Sequence, residues 1–144
     1  MTTRKNSHLG RRIFAFFIDY LVVYCFFYVY IWSLGVQNDQ GGYTVTGINA
    51  FVPLIFWFIY MIVIESTLNA TLGHFVFGLK VVKNNFREKI GFTDSLKRQL
   101  TDFIEIPFLG IPAIICISNT DLNQRLGDLW ANTMVVSDKE ENEA

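Results

Sequence analysis

Charge is what this chain has least of. Charged residues make up 17% of its 144 residues, against about 25% in soluble domains. Their placement excludes more than their number does, because across residues 13–64 only Asp19 and Asp39 carry charge. No water-soluble domain of this size leaves so long a stretch bare, so a soluble globular fold is excluded. A two-domain fold goes with it, since membrane-length segments consume most of the chain. Cysteine is equally scarce. Cys25 and Cys116 both lie in apolar segments without CxxC or Cys/His spacing, so they read as small packing groups and no metal site is expected. A nucleic-acid binder needs a net basic face carrying stacking aromatics. Here the net charge is −1 and the aromatics lie in the apolar runs, so no nucleic-acid partner is expected. There is no Gly-rich phosphate loop, nucleophile elbow, HExxH or Ser/His/Asp set. His74 has no second ligand near it in sequence, and His8 belongs to the terminal segment. Neither enzymatic activity nor a cofactor is expected.

What is present is apolar length: aromatics reach 16% and mean hydropathy is +0.32. Residues 13–34 match the ~20 residues with which a helix crosses ~30 Å of hydrocarbon. Arg4, Lys5, Arg11 and Arg12 precede them like a signal-peptide n-region. The run nevertheless exceeds the roughly 7–15 residues of an h-region and no A-x-A-like site follows, so a retained span is expected. Tyr28, Tyr30 and Trp32 gather at its far end, as interfacial aromatics do. The remaining aromatics, including Tyr20, Tyr24, Phe26 and Phe27, read as lipid-facing and packing surface. A polar loop without Lys or Arg covers residues 35–47, and a second span, residues 48–64, opens with Pro53 and ends at Glu65. Basic residues flank this pair and are missing between its members, which predicts a cytoplasmic N-terminus and a cytoplasmic segment after Glu65.

Beyond Glu65 the pattern changes. Residues 78–82 are short and β-branched and predict a strand, as do residues 133–136. Thr93-Asp94-Ser95 offers a helix N-cap, with Leu96, Leu100, Phe103 and Pro107 following at helical spacing. Residues 103–117 form a third apolar stretch worth roughly 22 Å as helix, but Glu105, Pro107, Gly110 and Pro112 interrupt it. A re-entrant or interfacial hairpin is preferred there over a tilted crossing that starts near Asp94. Pairing of Leu79–Val82 with residues 133–136 requires both strands on one side, which an odd number of crossings forbids. Residues 1–136 read as one membrane domain and residues 137–144 as a disordered acidic tail.

Asp19 is the sharpest chemical feature, lying roughly 9 Å inside the first span. A carboxylate there needs pairing, hydration or a proton. Either it takes a basic partner from another element, such as Arg98 or Arg125, or it binds an ion or proton. Secondary candidates are Glu65, expected to be solvated at an interface, and Glu105 in the broken segment, where interrupted helices line polar cavities. Arg125 and Asp128, three apart, read as a local salt bridge or cap.

Three motifs stand in order: RRIFAFFIDYLV opening the first span, TLGHFVFGLKVV after the second, and QRLGDLWANTMVV near the end. Together they resemble the RDD family of small bacterial membrane proteins, over residues 10–136. The resemblance implies that Arg12, Asp19 and Asp128 are the name residues, with Arg11 a rival for the first. It also implies a cytoplasmic-membrane location and a transport role linked to cation/proton exchange. The family pattern reads T-P-G-K and A-G-T where this chain has Leu72, His74 and Asn132. The expected architecture is all-α: two membrane helices, a third broken segment, and a short cytoplasmic strand pair. Two or three helices cannot enclose a path by themselves, so transport calls for a homo-oligomer or a membrane partner beside the lipid bilayer. The other reading is a non-transporting accessory protein in which the Arg and Asp residues lock the fold.

Overall fold

The computed structural model describes residues 8–85, 88–108 and 110–138. Arg4, Lys5 and the acidic tail from Lys139 onward lie outside the described residues. A backbone in hydrocarbon has no water to satisfy its N–H and C=O groups, so a long uncharged run closes them internally as helix. α1 (Leu9–Leu34) does this over 26 residues. It ends where the Gly35 N–H donates to the Ile31 carbonyl at 2.8 Å. Its buried residues are Arg12, Ala15, Asp19 and Val23, three or four apart on a single stripe. Phe14, Phe17, Leu21, Tyr24 and Tyr28 face outward. The buried stripe mixes Arg12 and Asp19 with Ala15 and Val23 while the outer face is apolar, the reverse of a helix designed for water. Cys25 belongs to that outer surface and Cys116 is half-buried, so neither is the core packing group expected.

The stretch expected to be a plain loop contains a hairpin of β1 (Val36–Gln37) and β2 (Tyr43–Thr44), antiparallel with Val36 opposite Thr44. Asn38 builds the turn, its side-chain oxygen accepting from the N–H groups of Gln40 (3.1 Å) and Gly42 (2.8 Å). Two-residue strands are too short to print an alternating pattern, so turn chemistry was the only trace.

The second long helix, Gly47–Leu68, comprises a 3-10 turn (Gly47–Phe51), α2 (Val52–Phe58), a π-helical stretch (Ile59–Val63) and α3 (Ile64–Leu68). It and α1 are both long and apolar enough to cross a membrane. They are joined by a Phe26–Phe56 stack at 3.8 Å and by a core of Val23, Tyr60, Met61 and Ile62. The π stretch has a consequence for the site. Tyr60 and Glu65, five residues apart, would point about 140° apart on a regular helix of 3.6 residues per turn. Widening the turn narrows that angle, and both side chains are buried toward the interior.

The chain then folds back on itself. Asn69, in the left-handed region at φ 57°, ends α3, and α4 (Leu72–Val76) lays Gly73 against the Ala15 carbonyl of α1. β3 (Leu79–Lys83) pairs antiparallel with β4 (Thr133–Ser137), with Val81 opposite Val135. Pairing includes Ser137, so the folded region outruns the expected limit at Val136. α5 (Phe92–Leu100) is capped at Gly91, whose N–H donates to Asp94 Oδ2 at 2.8 Å. The cap therefore sits before Thr93 rather than within Thr93–Ser95, because the Asp94 carboxylate reaches back one turn. α6 (Asp102–Glu105), a 3-10 turn (Ile106–Phe108) and α7 (Ile111–Asn119) follow. The helical piece Phe92–Phe108 and α7 meet at 115°, the break expected in the third stretch. α8 (Leu126–Ala131) packs on α5 and leads into β4.

The α5–α8 contact depends on Gly127. A Cβ there would stand 2.5 Å from Thr101 Oγ1 and 2.8 Å from the Arg98 carbonyl oxygen, one of which is immovable backbone. Gly127→Ala should therefore cost about 1–3 kcal/mol, read as a lowered melting temperature in detergent. Gly10→Ala, with nothing within 4 Å of the added carbon, should leave the melt unchanged or raise it. Equal melts for the two variants would contradict this packing.

Candidate functional site

Four buried carboxylates, two buried arginines and the half-buried Arg125 meet where α1, α3, α5, α6 and α8 converge, and Asp128 is central. The N-terminal turn of α8 holds it in place: its Oδ2 accepts the Arg125 N–H at 3.0 Å. The same oxygen accepts from Arg12 Nη2 of α1 at 2.6 Å. Its Oδ1 pairs with Arg98 Nη1 of α5. Arg12 also donates to the Asn123 carbonyl at 2.6 Å, and Arg98 reaches Glu65 at 3.2–3.4 Å through Nε and Nη2. Glu65, Arg98 and Asp128 are each 0% exposed. Glu65 was expected at a wet interface; the chain reversal after α3 covers it with α5. Arg11, the rival of Arg12, is exposed.

Asp19 stands apart from this ion network. Its Oδ1 accepts from Tyr60 Oη (3.1 Å) and the Gly73 N–H (2.8 Å), and its Oδ2 from Thr71 Oγ1 (2.6 Å). The expected basic partner, Arg98 or Arg125, is replaced by three neutral donors. Arg98 is taken up by Glu65 and Asp128, and the α4 turn delivers its own donors directly to α1. Gly73 is required for that approach, since a Cβ would fall 2.8 Å from Asp19 Oδ2.

Arg125 forms the third centre. Its Nη1 donates to Asp102 Oδ1 at 2.6 Å and to Glu105 Oε2 at 3.4 Å, and its Nε lies 3.8 Å from Asp128. The local pairing with Asp128 is thus the weakest of its three. Tyr20 Oη donates to Asp102 Oδ2 at 2.9 Å. Among these carboxylates one oxygen is left over: Glu105 Oε1 is buried and has no hydrogen-bond partner among the described residues, as is also true of Ser95 Oγ and Asn69 Oδ1 outside the carboxylate set. Glu105 and Asp102 line a cavity of about 190 Å³, together with Asp19, Tyr20, Thr71, Gln99 and Arg125, and Ile13 and Phe16 of α1 and Ala113, Ile114 and Ile117 of α7 supply much of its apolar wall.

A family model for the RDD family matches residues 7–132. The chain belongs to the RDD family. No curated protein and no solved structure matches it closely enough to extend that assignment. With two helices fit to span a bilayer, this RDD chain is a membrane protein by fold as well as by family.

Its departures from the family pattern have local accounts. Asn132 is in the left-handed region at φ 57°, a conformation Asn tolerates better than other side chains. Leu72 is exposed on α4. His74 places Nδ1 2.9 Å from Thr71 Oγ1. The Thr71 hydroxyl proton is committed to Asp19, so Nδ1 must carry the proton and Nε2 is the free acceptor. Burial, then the charges of Arg98, Arg12 and Arg125, hold the His74 imidazole well below its ordinary pKa, which keeps it neutral in this relay.

Sequence reasoning singled out Arg12, Asp19, Glu65, Glu105, Arg125 and Asp128, and the fold brings all six to this region. It missed Tyr20, Tyr60, Thr71, Gly73 and Asp102 as participants. A stripe of buried polar residues was present to find: Ser95, Arg98, Gln99, Asp102 and Glu105 recur at helical spacing and lead into an apolar segment. Asp128→Asn removes the charge between two buried guanidinium groups. It should destabilise the protein by about 3–5 kcal/mol, measured as lost folded yield and a lowered melt. A variant with wild-type stability would remove Asp128 from its central role.

Proposed function

We propose that this chain is the membrane-embedded unit of a proton-coupled transporter for a cation or small solute, with the Glu105 cavity as its binding site. The supporting observation is the unpartnered Glu105 Oε1. A buried carboxylate oxygen without a donor is costly unless a proton or cation comes to it. Arg12, Asp19, Glu65 and Asp128 are supplied with partners inside the fold and serve as its frame. Proton carriage thereby moves from Asp19 to Glu105. The apolar outer faces of α1 and α7 leave the cavity open toward lipid, so the working form is a homo-oligomer or a complex with a membrane partner.

In this reading the protein is a multi-pass component of the cytoplasmic membrane with its N-terminus in the cytoplasm. Arg11 and Arg12 precede the first span, and the Gly35–Thr46 connection carries no Lys or Arg. β3–β4 pairing supports an even number of crossings, with the bent segment from Phe92 to Asn119 entering and leaving on one side. Cysteine at Asp138, with both native cysteines replaced, should resist an impermeant thiol reagent in intact cells, whereas cysteine at Asp39 should react. Labelling at Asp138 would overturn this topology.

The reading of Arg12, Asp19 and Asp128 as a frame also supports the rival, a non-transporting accessory protein. Flux separates the two. In proteoliposomes, Glu105→Gln should abolish cation-dependent proton movement while keeping the wild-type melt and oligomer size. Asp19→Asn should instead lower folded yield. A strict monomer in mild detergent, or equal flux from wild type and well-folded Glu105→Gln, would favour the accessory role.

A further inference from the structure

The geometry points to an amphiphilic ammonium ion as the occupant of the Glu105 cavity. This rests on the reading of Glu105 as the binding site and names the class of ligand. Consider first the charge at the polar end. Asp102 and Glu105 share one strongly engaged cation, Arg125, which is held at 2.6 Å by Asp102 and reaches Glu105 only at 3.4 Å. Tyr20 completes Asp102. Arg12, the other cation at the cavity, is committed to Asp128 and the Asn123 carbonyl. His74, held neutral, adds none. Asp19, the third carboxylate of the lining, has no cation either but is filled by three neutral donors. The negative charge left with neither a close cation nor a full set of donors is therefore that of Glu105, whose Oε1 has no partner among the described residues.

The walls then choose among cations. An inorganic ion surrenders its water on entering and needs about six oxygen ligands in return. Of the oxygen-bearing side chains in the lining, Asp19, Tyr20, Thr71 and Asp102 are already bonded within the fold, which leaves Glu105 and Gln99 to serve an ion. An organic ammonium brings its own N–H donors for Glu105 and an alkyl part for the walls. Burying the latter yields ~0.8 kcal/mol per CH₂. About 190 Å³ accommodates roughly six groups of the ~30 Å³ that a water occupies in the liquid, a nitrogen and about five carbons. Phe17 and Ile114 of the lining are themselves exposed at the outer surface, so a longer chain can continue into lipid. The same chemistry is offered by a diffusible alkylamine and by the amine headgroup of a lipid.

The test uses the full chain in phosphatidylcholine nanodiscs at neutral pH, with hexylammonium, hexanol and hexanoate as probes in calorimetry. Hexylammonium should bind at least tenfold more tightly than hexanol, and hexanoate should not bind. Glu105→Gln should erase the preference for the amine over the alcohol. Ile114→Trp, which fills the cavity and leaves every charge in place, should weaken both probes. Should Glu105→Gln fail to fold, the wild-type series and Ile114→Trp still decide. Equal affinity for amine and alcohol, or an amine preference retained in Glu105→Gln, overturns the proposal. Nanodiscs containing phosphatidylethanolamine identify the source: competition with hexylammonium assigns the site to a lipid headgroup, and its absence to a free amine. The two readings fail separately. Glu105-dependent amine binding without proton flux removes transport and leaves the ligand class. Glu105-dependent sodium/proton flux without amine binding does the reverse.

Discussion

The buried carboxylate of Asp128, clasped between Arg12 and Arg98, is the constraint on which the rest of this structure depends. Each guanidinium comes from a different helix, and each would be prohibitively expensive in this interior without its acid. Closing that bridge decides where α8 sits against α5 and α1. It also sets the neighbours: Arg98 turns its remaining donors to Glu65, and Arg125, one turn before Asp128, faces Asp102 and Glu105. The small residues at the contacts follow from the same demand. Gly73 and Gly127 let backbone approach backbone closely enough for short polar side chains to meet.

A membrane protein built this way divides its polar residues into two kinds. Those whose bonding capacity is filled within the fold stabilise one arrangement and have nothing left to offer a ligand. Asp19 is the clearest case, since three neutral donors of α4 and the π-helical stretch surround it. Those left with an unmet oxygen or proton are the ones to which the proposed function assigns the chemistry. Glu105 is of this kind: α6 ends at it, the chain bends away at Gly110 and α7, and the residue lines the cavity formed there.

Much of this was legible in the residues. The two long helices follow from uninterrupted apolar length, and the pairing of Leu79–Val82 with residues 133–136 follows from two short β-branched runs; the register, Val81 opposite Val135, came from the structure. The motifs around Arg12, Asp19 and Asp128 carried the family. Asp19's partners were not legible. An intramembrane acid invites a search for a cation, and nothing in the sequence says that Arg98 and Arg125 are already engaged elsewhere. Glu65 misled for a related reason, because its position at a helix end looks like an interface until α5 folds over it.

The sequence by itself determined the environment, the helical spans and which charged groups would have to be buried. These depend on local length and on the free energy of placing a charge in hydrocarbon, and both can be summed along the chain. Only the tertiary structure decided which buried charge pairs with which, and therefore which one is left unmatched. Three arginines and several carboxylates allow many pairings of similar composition. The choice among them is made by close contacts between segments at Gly73 and Gly127 and by the way the widened turn between Tyr60 and Glu65 presents both side chains to the neighbouring helices, which no segment fixes alone.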